Sequence, residues 1–146
     1  MRIAIINGPN LNLLGVREPD MYGRDTLADI EKHLRIVGRE IEVDLEFAQR
    51  NGEGELVEVI QSLRGRAQGA LINAGAYSHT SLAICDAFAA VQVPFVEVHL
   101  SNIFAREPER RHSMLAGYAI ALVCGFGARG YELALRGIVA SLTPRE

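Results

Sequence analysis

The stretch "RIAIIN", residues 2–7, decides the fold class, because the four residues between its polar ends are all apolar. A continuous apolar run of this kind is typical of a strand that is covered on both faces in a parallel sheet. Runs of the same character recur at Ala70–Asn73, Phe95–His99 and Ala119–Phe126. We therefore predict that these segments, with Arg2–Asn7, are buried strands of one parallel sheet.

The segment Ile41–Phe47 has a different pattern, since its apolar residues alternate with Glu42, Asp44 and Glu46. Alternation with a period of two predicts a strand that has one face in the core and the other in solvent. We expect this strand to lie at an edge of the sheet.

Helical patterns separate the predicted strands, because apolar residues recur there at helical spacing. Strands and helices therefore alternate along the chain, which favours right-handed crossovers and a doubly wound, three-layer α/β domain. The simplest arrangement is a single domain over residues 1–146 with a parallel sheet of strand order 2-1-3-4-5. The helical apolar positions are Leu27, Ile30, Leu34 and Val37; Leu56, Val59, Ile60 and Leu63; Ile84, Ala87, Phe88 and Val91; and Tyr131, Ala134, Ile138 and Leu142.

The composition is that of one globular domain, with 146 residues, 49% apolar and 23% charged. The net charge is −3 and the arginines are scattered, which argues against nucleic acid or a membrane surface as a partner. No apolar run is long enough to span a bilayer, and no leader pattern follows Met1. We expect a cytoplasmic protein that acts on a small molecule.

Polar residues follow four of the predicted strands, where the chain reads "NGPN", "QRN", "NAGAYSH" and "HLSN". Ligands of open parallel sheets bind beyond the carboxyl ends of the strands. We therefore expect the polar residues of these segments to converge on one rim. They are Asn7, Asn10, Asn51, Asn73, His79, His99 and Ser101.

The segment "GFGARG", residues 125–130, matches the glycine pattern of dinucleotide-binding loops. It opens the last strand–helix unit, however, so no later strand completes a nucleotide-binding half. We interpret the glycines as sites of tight backbone packing, and a flavin or dinucleotide site remains the alternative.

Several chemistries are disfavoured by the residues present. Strands one and three end in Asn7 and Asn73, where a phosphoacceptor domain needs carboxylates. Neither a paired-histidine metal motif nor a serine nucleophile elbow occurs. Lys32 is the only lysine and is predicted to lie far from the strand ends, which argues against an imine. Acid–base chemistry on a carbonyl compound remains, with His99 as proton donor.

Four long motifs resemble the type II 3-dehydroquinate dehydratases, and together they cover most of the chain. The resemblance implies a flavodoxin-like subunit of a dodecamer built from four trimers. It also implies conversion of 3-dehydroquinate to 3-dehydroshikimate by anti elimination of water through an enolate, without a cofactor or a metal. The motifs are "INGPNLNLLGxREPxxYG" from residue 6, "INAGAYSHTSLAICDA" from residue 72, "VEVHLSNIFAREPERRHS" from residue 96 and "GFGARGYELAL" from residue 125.

The segment from Ile6 to Thr26 is far longer than the roughly two to six residues that usually join a strand to a helix. By resemblance we interpret residues 17–25 as a lid that closes a dry site after the substrate binds. Its Tyr22 resembles the tyrosinate base of the family. Arg17 resembles the cation that stabilises this phenolate, and Arg106 is the second candidate.

The resemblance also implies the roles of other strand-end residues. His99 matches the general acid that protonates the leaving hydroxyl, and Glu97 lies on the same strand face, where it can orient the imidazole. Asn10 resembles the residue that holds a water against the enolate oxygen.

Further residues match positions that bind the substrate. The carboxylate is expected to meet Asn73, the Ser101 hydroxyl and the backbone N–H groups of Leu100 and Ser101. Arg110 and His79 resemble binders of the ring hydroxyls. Gly75 fits either a close backbone approach to the ligand or a turn with positive φ, and Ala76 beside it is also expected at the substrate. Asp86 matches a residue that reaches a neighbouring subunit's site. By contrast, Arg111, His112 and Ser113 are interpreted as loop-surface and helix-start residues.

A non-catalytic, flavodoxin-like oligomerisation module remains the other alternative for the function of the chain.

Overall fold

The computed structural model describes residues 1–144 as one parallel sheet flanked by helices. The strands occur in the order β2-β1-β3-β4-β5, and every neighbouring pair is parallel. The predicted α/β class and strand order are therefore confirmed. The strands are β1 Arg2–Asn7, β2 Asp44–Gln49, β3 Gly69–Asn73, β4 Phe95–His99 and β5 Ala121–Cys124.

Helices cover both faces of the sheet, and each face has its own hydrophobic core. One core packs α3 and α4 on the sheet, and the other packs α2 and α5. Within β1, Ala4 and Ile6 enter the first core while Ile3 and Ile5 enter the second, because successive strand residues point to opposite faces. The helices are α1 Pro19–Tyr22, α2 Leu27–Glu40, α3 Glu53–Gln61, α4 Leu82–Val91 and α5 Arg129–Leu142.

The edge strand β2 begins later than the alternating pattern predicts. Ile41 is the C-cap of α2 and the following Glu42 has a φ of 57°, so this segment forms the turn that ends the helix. The side chain of Glu46 is partly exposed and pairs with Arg66 at 3.1 Å. The predicted start at Ile41 was therefore wrong, whereas the alternation holds within β2, since Leu45 and Phe47 pack against the core on one face and Glu46 lies between them.

The strand β5 is shorter and more exposed than its apolar run predicts. It spans Ala121–Cys124 rather than residues 119–126, and Ala121 is exposed while the other three residues are partly buried. It pairs with β4 at one side and forms the other edge of the sheet. Gly125, with a φ of 97°, then turns the chain away. The prediction that this strand is buried on both faces was wrong.

The turns after β1 and β3 touch through their backbones. A side chain at Gly8 would place its Cβ atom 2.6 Å from the carbonyl oxygen of Ala74, so only glycine fits there. Gly75 has a φ of 57°, and a Cβ atom on it would lie 3.1 Å from the oxygen of Pro9. This close approach brings the polar residues after the two strands together.

Within residues 1–144, no helix combines the length and the apolar character that crossing a bilayer requires.

Candidate active site

A cavity of about 140 Å³ lies beyond the carboxyl ends of β1, β3 and β4. It brings together most of the residues that the sequence predicts for the site, with Leu11, Leu14 and Ile103 as apolar lining. A larger open groove of about 780 Å³ lies between α2 and α5, but its walls carry none of those residues. The predicted residues that line the smaller cavity are Asn10, Arg17, Tyr22, Asn73, Gly75, Ala76, His79, His99, Leu100, Arg106 and Arg110.

The imidazole of His99 and the carboxylate of Glu97 form a buried pair at the end of β4. The Nε2 atom of His99 lies 2.6 Å from Oε1 of Glu97, because residues two apart on a strand point to the same face. His99 is 5% exposed and Glu97 is 0% exposed, so bulk water screens this contact very little. Since the carboxylate accepts from Nε2–H, the other ring nitrogen, Nδ1, is the one left to exchange a proton with the cavity.

His79 lies beside His99, with 6.1 Å between the two ring centroids. Its Nδ1 atom lies 2.6 Å from the backbone oxygen of His112, and a carbonyl oxygen only accepts. The Nδ1 atom of His79 is therefore protonated, which leaves its Nε2 atom as the nitrogen that can meet a ligand.

The phenol oxygen of Tyr22 contacts Arg106, whose Nη1 donates to it at 2.7 Å. Arg17 instead lies over the ring, with its Cζ atom 5.6 Å from the ring centroid, and it pairs with Glu18 at 3.8 Å. The Arg106 side chain is 12% exposed and that of Arg17 is 41% exposed, so the charge of Arg106 is closer and less screened. The resemblance gave Arg17 as the cation at Tyr22 and Arg106 as the second candidate, and in the structure Arg106 makes the contact with the phenol oxygen.

Asn73 is held from behind by Tyr131, a residue of α5 that is wholly buried. The Tyr131 hydroxyl donates to Oδ1 of Asn7 at 2.5 Å and accepts from Nδ2 of Asn73 at 3.1 Å. Burial raises the pKa of Tyr131 above its usual value, so the group stays a neutral hydroxyl. The Oδ1 atom of Asn73 accepts from the N–H of Gly75 at 3.2 Å. Both ends of the Asn73 amide are thus fixed.

The turn that carries Asn10 is supported by two polar side chains, one from the last residue of β2 and one from the segment that follows it. Asn10 has a left-handed φ of 67°, and its N–H donates to Oδ1 of Asn51 at 3.0 Å. Gln49 donates to the same oxygen and to the backbone oxygen of Gly8, at 3.1 Å in both contacts. Asn51, predicted on the rim, therefore supports the site from outside the cavity lining.

Three of the residues predicted to act in catalysis or substrate binding lie outside the lining of this cavity. Glu97 lies behind His99, and Ser101 lies beside Arg106, whose Nη1 is 3.5 Å from the serine Oγ. Asp86 is exposed on α4. The rim residue Asn7 is likewise buried behind Asn73 rather than lining the cavity. Of these four residues, Asn7 and Ser101 were expected at the rim and do not line this cavity, whereas Glu97 was expected to orient His99 and Asp86 to reach a neighbouring subunit's site.

The guanidinium of Arg110 reaches the cavity but is engaged at its rim. Its Nε atom donates to Oε1 of Glu107 at 2.6 Å. The pKa of Glu107 is lowered by a hydrogen bond from its own backbone N–H and by the bond from Arg110. A hydroxyl ligand would therefore meet an arginine that is already oriented by a carboxylate.

The glycine-rich segment 125–130 packs against the end of β4. The N–H of Gly127 donates to the oxygen of Leu100 at 2.9 Å, and that of Gly125 donates to the oxygen of His99 at 3.4 Å. Gly125 and Gly127 have positive φ angles of 97° and 59°, and a Cβ atom on Gly130 would make only an ordinary contact, 3.5 Å from the side chain of Val123. Because these N–H groups already have acceptors, the contacts favour the packing interpretation over a pyrophosphate site.

Sequence reasoning missed two residues that support the site. Tyr131 was interpreted only as an apolar helix position, and Ser113 as a helix-start residue. Ser113 does accept from the N–H of Ala116 at 3.2 Å, but its hydroxyl also contacts Oε1 of Glu97 at 2.6 Å. Each residue lies in a motif that carries the family resemblance, and this position was the sequence signal that could have identified it. Tyr131 lies in "GFGARGYELAL", and Ser113 is the last residue of "AREPERRHS".

Across residues 1–144, no three His, Cys, Asp or Glu side chains group in a way that could hold a metal ion.

Comparison with known proteins gives concordant matches over nearly the whole chain. The family described as "Dehydroquinase class II" matches residues 1–139. The chain is 58% identical over 142 residues to a 3-dehydroquinate dehydratase of Gemmatimonas aurantiaca, covering 97% of this chain and 93% of that protein. It is 54% identical to a protein of the same name from Prochlorococcus marinus strain NATL1A, covering 97% and 98% of the two chains.

Two crystal structures are also similar to this chain. The type II dehydroquinase from Butyrivibrio crossotus has a TM-score of 0.93 at 35% identity, covering 95% of this chain and 97% of that one. The type II dehydroquinase from Propionibacterium acnes has a TM-score of 0.91 at 39% identity, covering 95% and 96%. The similarity therefore extends over sequence and fold together.

Proposed function

The chain belongs to the class II dehydroquinase family, and from this premise we propose that it converts 3-dehydroquinate to 3-dehydroshikimate by anti elimination of water through an enolate. The observation that supports the mechanism is that Tyr22 and His99 line the same small cavity. Arg106 donates to the oxygen of Tyr22, and Glu97 contacts the ring of His99 from behind the cavity. A base and an acid in one cavity are what an elimination needs.

The proposed base is Tyr22, in its phenolate form. It takes the proton from the carbon between the ketone and the carbon that bears the leaving hydroxyl, and the electron pair moves onto the ketone oxygen as an enolate. Arg106 donates to the phenol oxygen at 2.7 Å and Arg17 lies over the ring, so both guanidiniums stabilise negative charge on Tyr22. Asn10 is proposed to hold a water against the enolate oxygen.

The proposed acid is His99. When the enolate collapses, the bond to the leaving hydroxyl breaks and the imidazolium gives that oxygen a proton, so that water departs. Glu97 then faces a neutral imidazole, and the proton held by Tyr22 must return to His99 before the next turnover. The 2.6 Å contact between Nε2 and Oε1 keeps the ring oriented throughout.

The cavity suits an anionic substrate. Arg17, Arg106 and Arg110 line it, and none of the described lining residues is acidic. We propose that Asn73, Ser101 and the N–H groups after His99 bind the substrate carboxylate, and that a further set of residues binds its ring. This set is His79 and Arg110 at the hydroxyls, with Gly75 and Ala76 as backbone contacts.

The proposal extends to the assembly and the setting of the enzyme. Asp86 is exposed on α4, which suits a residue that reaches a neighbouring subunit's site in a dodecamer of four trimers. Large apolar side chains near β5 are also exposed, as an interface requires: Phe104, Tyr118, Ile120 and Phe126. We place the reaction in the cytoplasm, in the shikimate pathway or in quinate breakdown, with no cofactor, metal, nucleic acid or membrane taking part.

Addition of 3-dehydroquinate to the purified protein tests the proposal. We expect the ultraviolet absorbance of a conjugated enone carboxylate to rise in proportion to enzyme concentration. A flat trace with folded protein would overturn the proposal. In that case an absorption spectrum would test for bound flavin, and a thermal-shift screen with quinate-like acids would separate a binding protein from a scaffold.

A further inference from the structure

Ser113 contacts the buried carboxylate that orients the proposed acid. Its Oγ atom lies 2.6 Å from Oε1 of Glu97, the same oxygen that the His99 ring contacts at 2.6 Å. Glu97 is completely buried, and its Oε2 atom has no hydrogen-bond partner among the described residues. The hydrogen bonds to this carboxylate therefore converge on one oxygen, and Ser113 supplies one of them.

The direction of these hydrogen bonds follows from the donors available. The N–H of Ala116 donates to the Oγ of Ser113 at 3.2 Å, so that hydroxyl accepts on one side. Its own proton then points to Oε1 of Glu97, because an ionised carboxylate only accepts. The same reasoning makes Nε2 of His99 a donor, which commits its Nδ1 to the cavity.

The segment around Ser113 is anchored, although sequence reasoning assigned it to the loop surface. The N–H of Met114 donates to the oxygen of Ser78 at 2.8 Å, and Leu115 is completely buried in the core beside α4. On the other side, His79 donates to the oxygen of His112. Ser113 is therefore held in place from both directions.

We propose that Ser113 is a positioning residue for proton donation by His99, an inference that rests on the proposed dehydratase function. Its hydroxyl offsets part of the cost of burying the Glu97 charge, and it fixes the direction of Oε1. The imidazole of His99 takes its orientation from that oxygen. Ser113 does not line the cavity of the site, so it acts only through Glu97.

The test compares variants of Ser113 under saturating and limiting 3-dehydroquinate. We expect Ser113→Ala to lower kcat by about tenfold and to leave KM within about twofold, because a hydrogen bond to a charged group is lost while the cavity lining stays intact. Ser113→Thr keeps the hydroxyl and is expected to retain most of the activity. Ser113→Cys replaces a strong donor by a weak one and is expected to resemble Ala, which keeps the test available if the alanine variant folds poorly.

A double-mutant cycle with Glu97→Gln separates positioning from general stability. If Ser113 acts through Glu97, Ser113→Ala in the Glu97→Gln background should change kcat by less than about twofold. An equal fold-loss in both backgrounds would overturn the proposal, as would a Ser113→Ala enzyme with wild-type kcat. Absence of turnover by the wild-type protein would instead overturn the proposed function, so the two failures are distinguishable.

Discussion

The cavity wall formed by β3 and β4 is fixed by buried hydrogen bonds, whereas the wall formed by residues 17–25 is exposed at every position except Tyr22. In the first wall, Asn73, Glu97 and His99 are each at most 5% exposed. In the second, Tyr22 is partly buried and meets the rest of the site through Arg106. The proposed acid, His99, therefore belongs to the sheet, while the proposed base, Tyr22, lies on an exposed segment with few buried contacts, which is the kind of segment that opens most easily.

The first prediction concerns the hydrogen bond from Arg106 to Tyr22, which joins the two walls of the cavity. Arg106→Ala should lower kcat by about 100-fold and Arg17→Ala by about tenfold, because Arg106 donates to the phenol oxygen while Arg17 contacts the ring. Steady-state turnover of the two variants, with circular dichroism as a folding control, measures the difference. A greater loss in Arg17→Ala would show that the phenolate depends on the lid's own cation.

A smaller effect is expected behind the fixed wall. Tyr131→Phe leaves Oδ1 of Asn7 and Nδ2 of Asn73 without their buried partner, so we expect a loss of about 1–3 kcal/mol in the free energy of unfolding. The KM for 3-dehydroquinate should rise by about tenfold, because Asn73 loses its fixed orientation. Urea unfolding and steady-state kinetics measure the two effects, with the wild-type protein as the reference. A stability loss with unchanged KM would mean that Tyr131 does not position Asn73.

The sequence predicted the central strands of the sheet better than its edges. The continuous apolar runs identify β1, β3 and β4 because these strands are buried on both faces, and the polar residues that follow them fall at the cavity. The edge strands of the sheet were less predictable, since a local apolar pattern cannot show that β5 pairs with another strand on one side only. The pattern at Ile41 likewise cannot show where α2 ends.

Contacts between distant segments account for the remaining differences. Tyr131 lies 58 positions from Asn73, and Arg106 lies 84 positions from Tyr22, so neither contact leaves a local pattern. The resemblance gave Arg17 as the first candidate for the cation at Tyr22 and Arg106 as the second, and it could not show that Arg106 makes the contact with the phenol oxygen. Ser113 was missed for a related reason, because its contact with Glu97 depends on how the segment before β5 folds back.

The smallest expected effect concerns the lid alone. Arg17 and Arg24 are exposed trypsin sites, and a saturating quinate-like acid should slow cleavage at both by about fivefold if residues 17–25 close over the ligand. Arg64, exposed in the turn after α3, is the internal control and should be cut at the same rate with and without the ligand. Peptide mapping by mass spectrometry measures all three sites. Equal protection at Arg64 would show general stabilisation instead of lid closure.

The assignment of Tyr22 as base and His99 as acid is tested most directly by measuring hydrogen exchange and dehydration separately. For this, 3-dehydroquinate is incubated with variants of the enzyme in heavy water. If Tyr22 is the base and His99 the acid, His99→Ala should still incorporate deuterium at the carbon next to the ketone while it loses nearly all dehydration. Tyr22→Phe should lose both, with turnover below about a tenth of wild type. Nuclear magnetic resonance of the substrate measures both processes in one sample, against a control without enzyme. Two results would contradict the assignment of base and acid. The first is enzyme-dependent deuterium incorporation that survives in Tyr22→Phe, and the second is loss of this incorporation in His99→Ala.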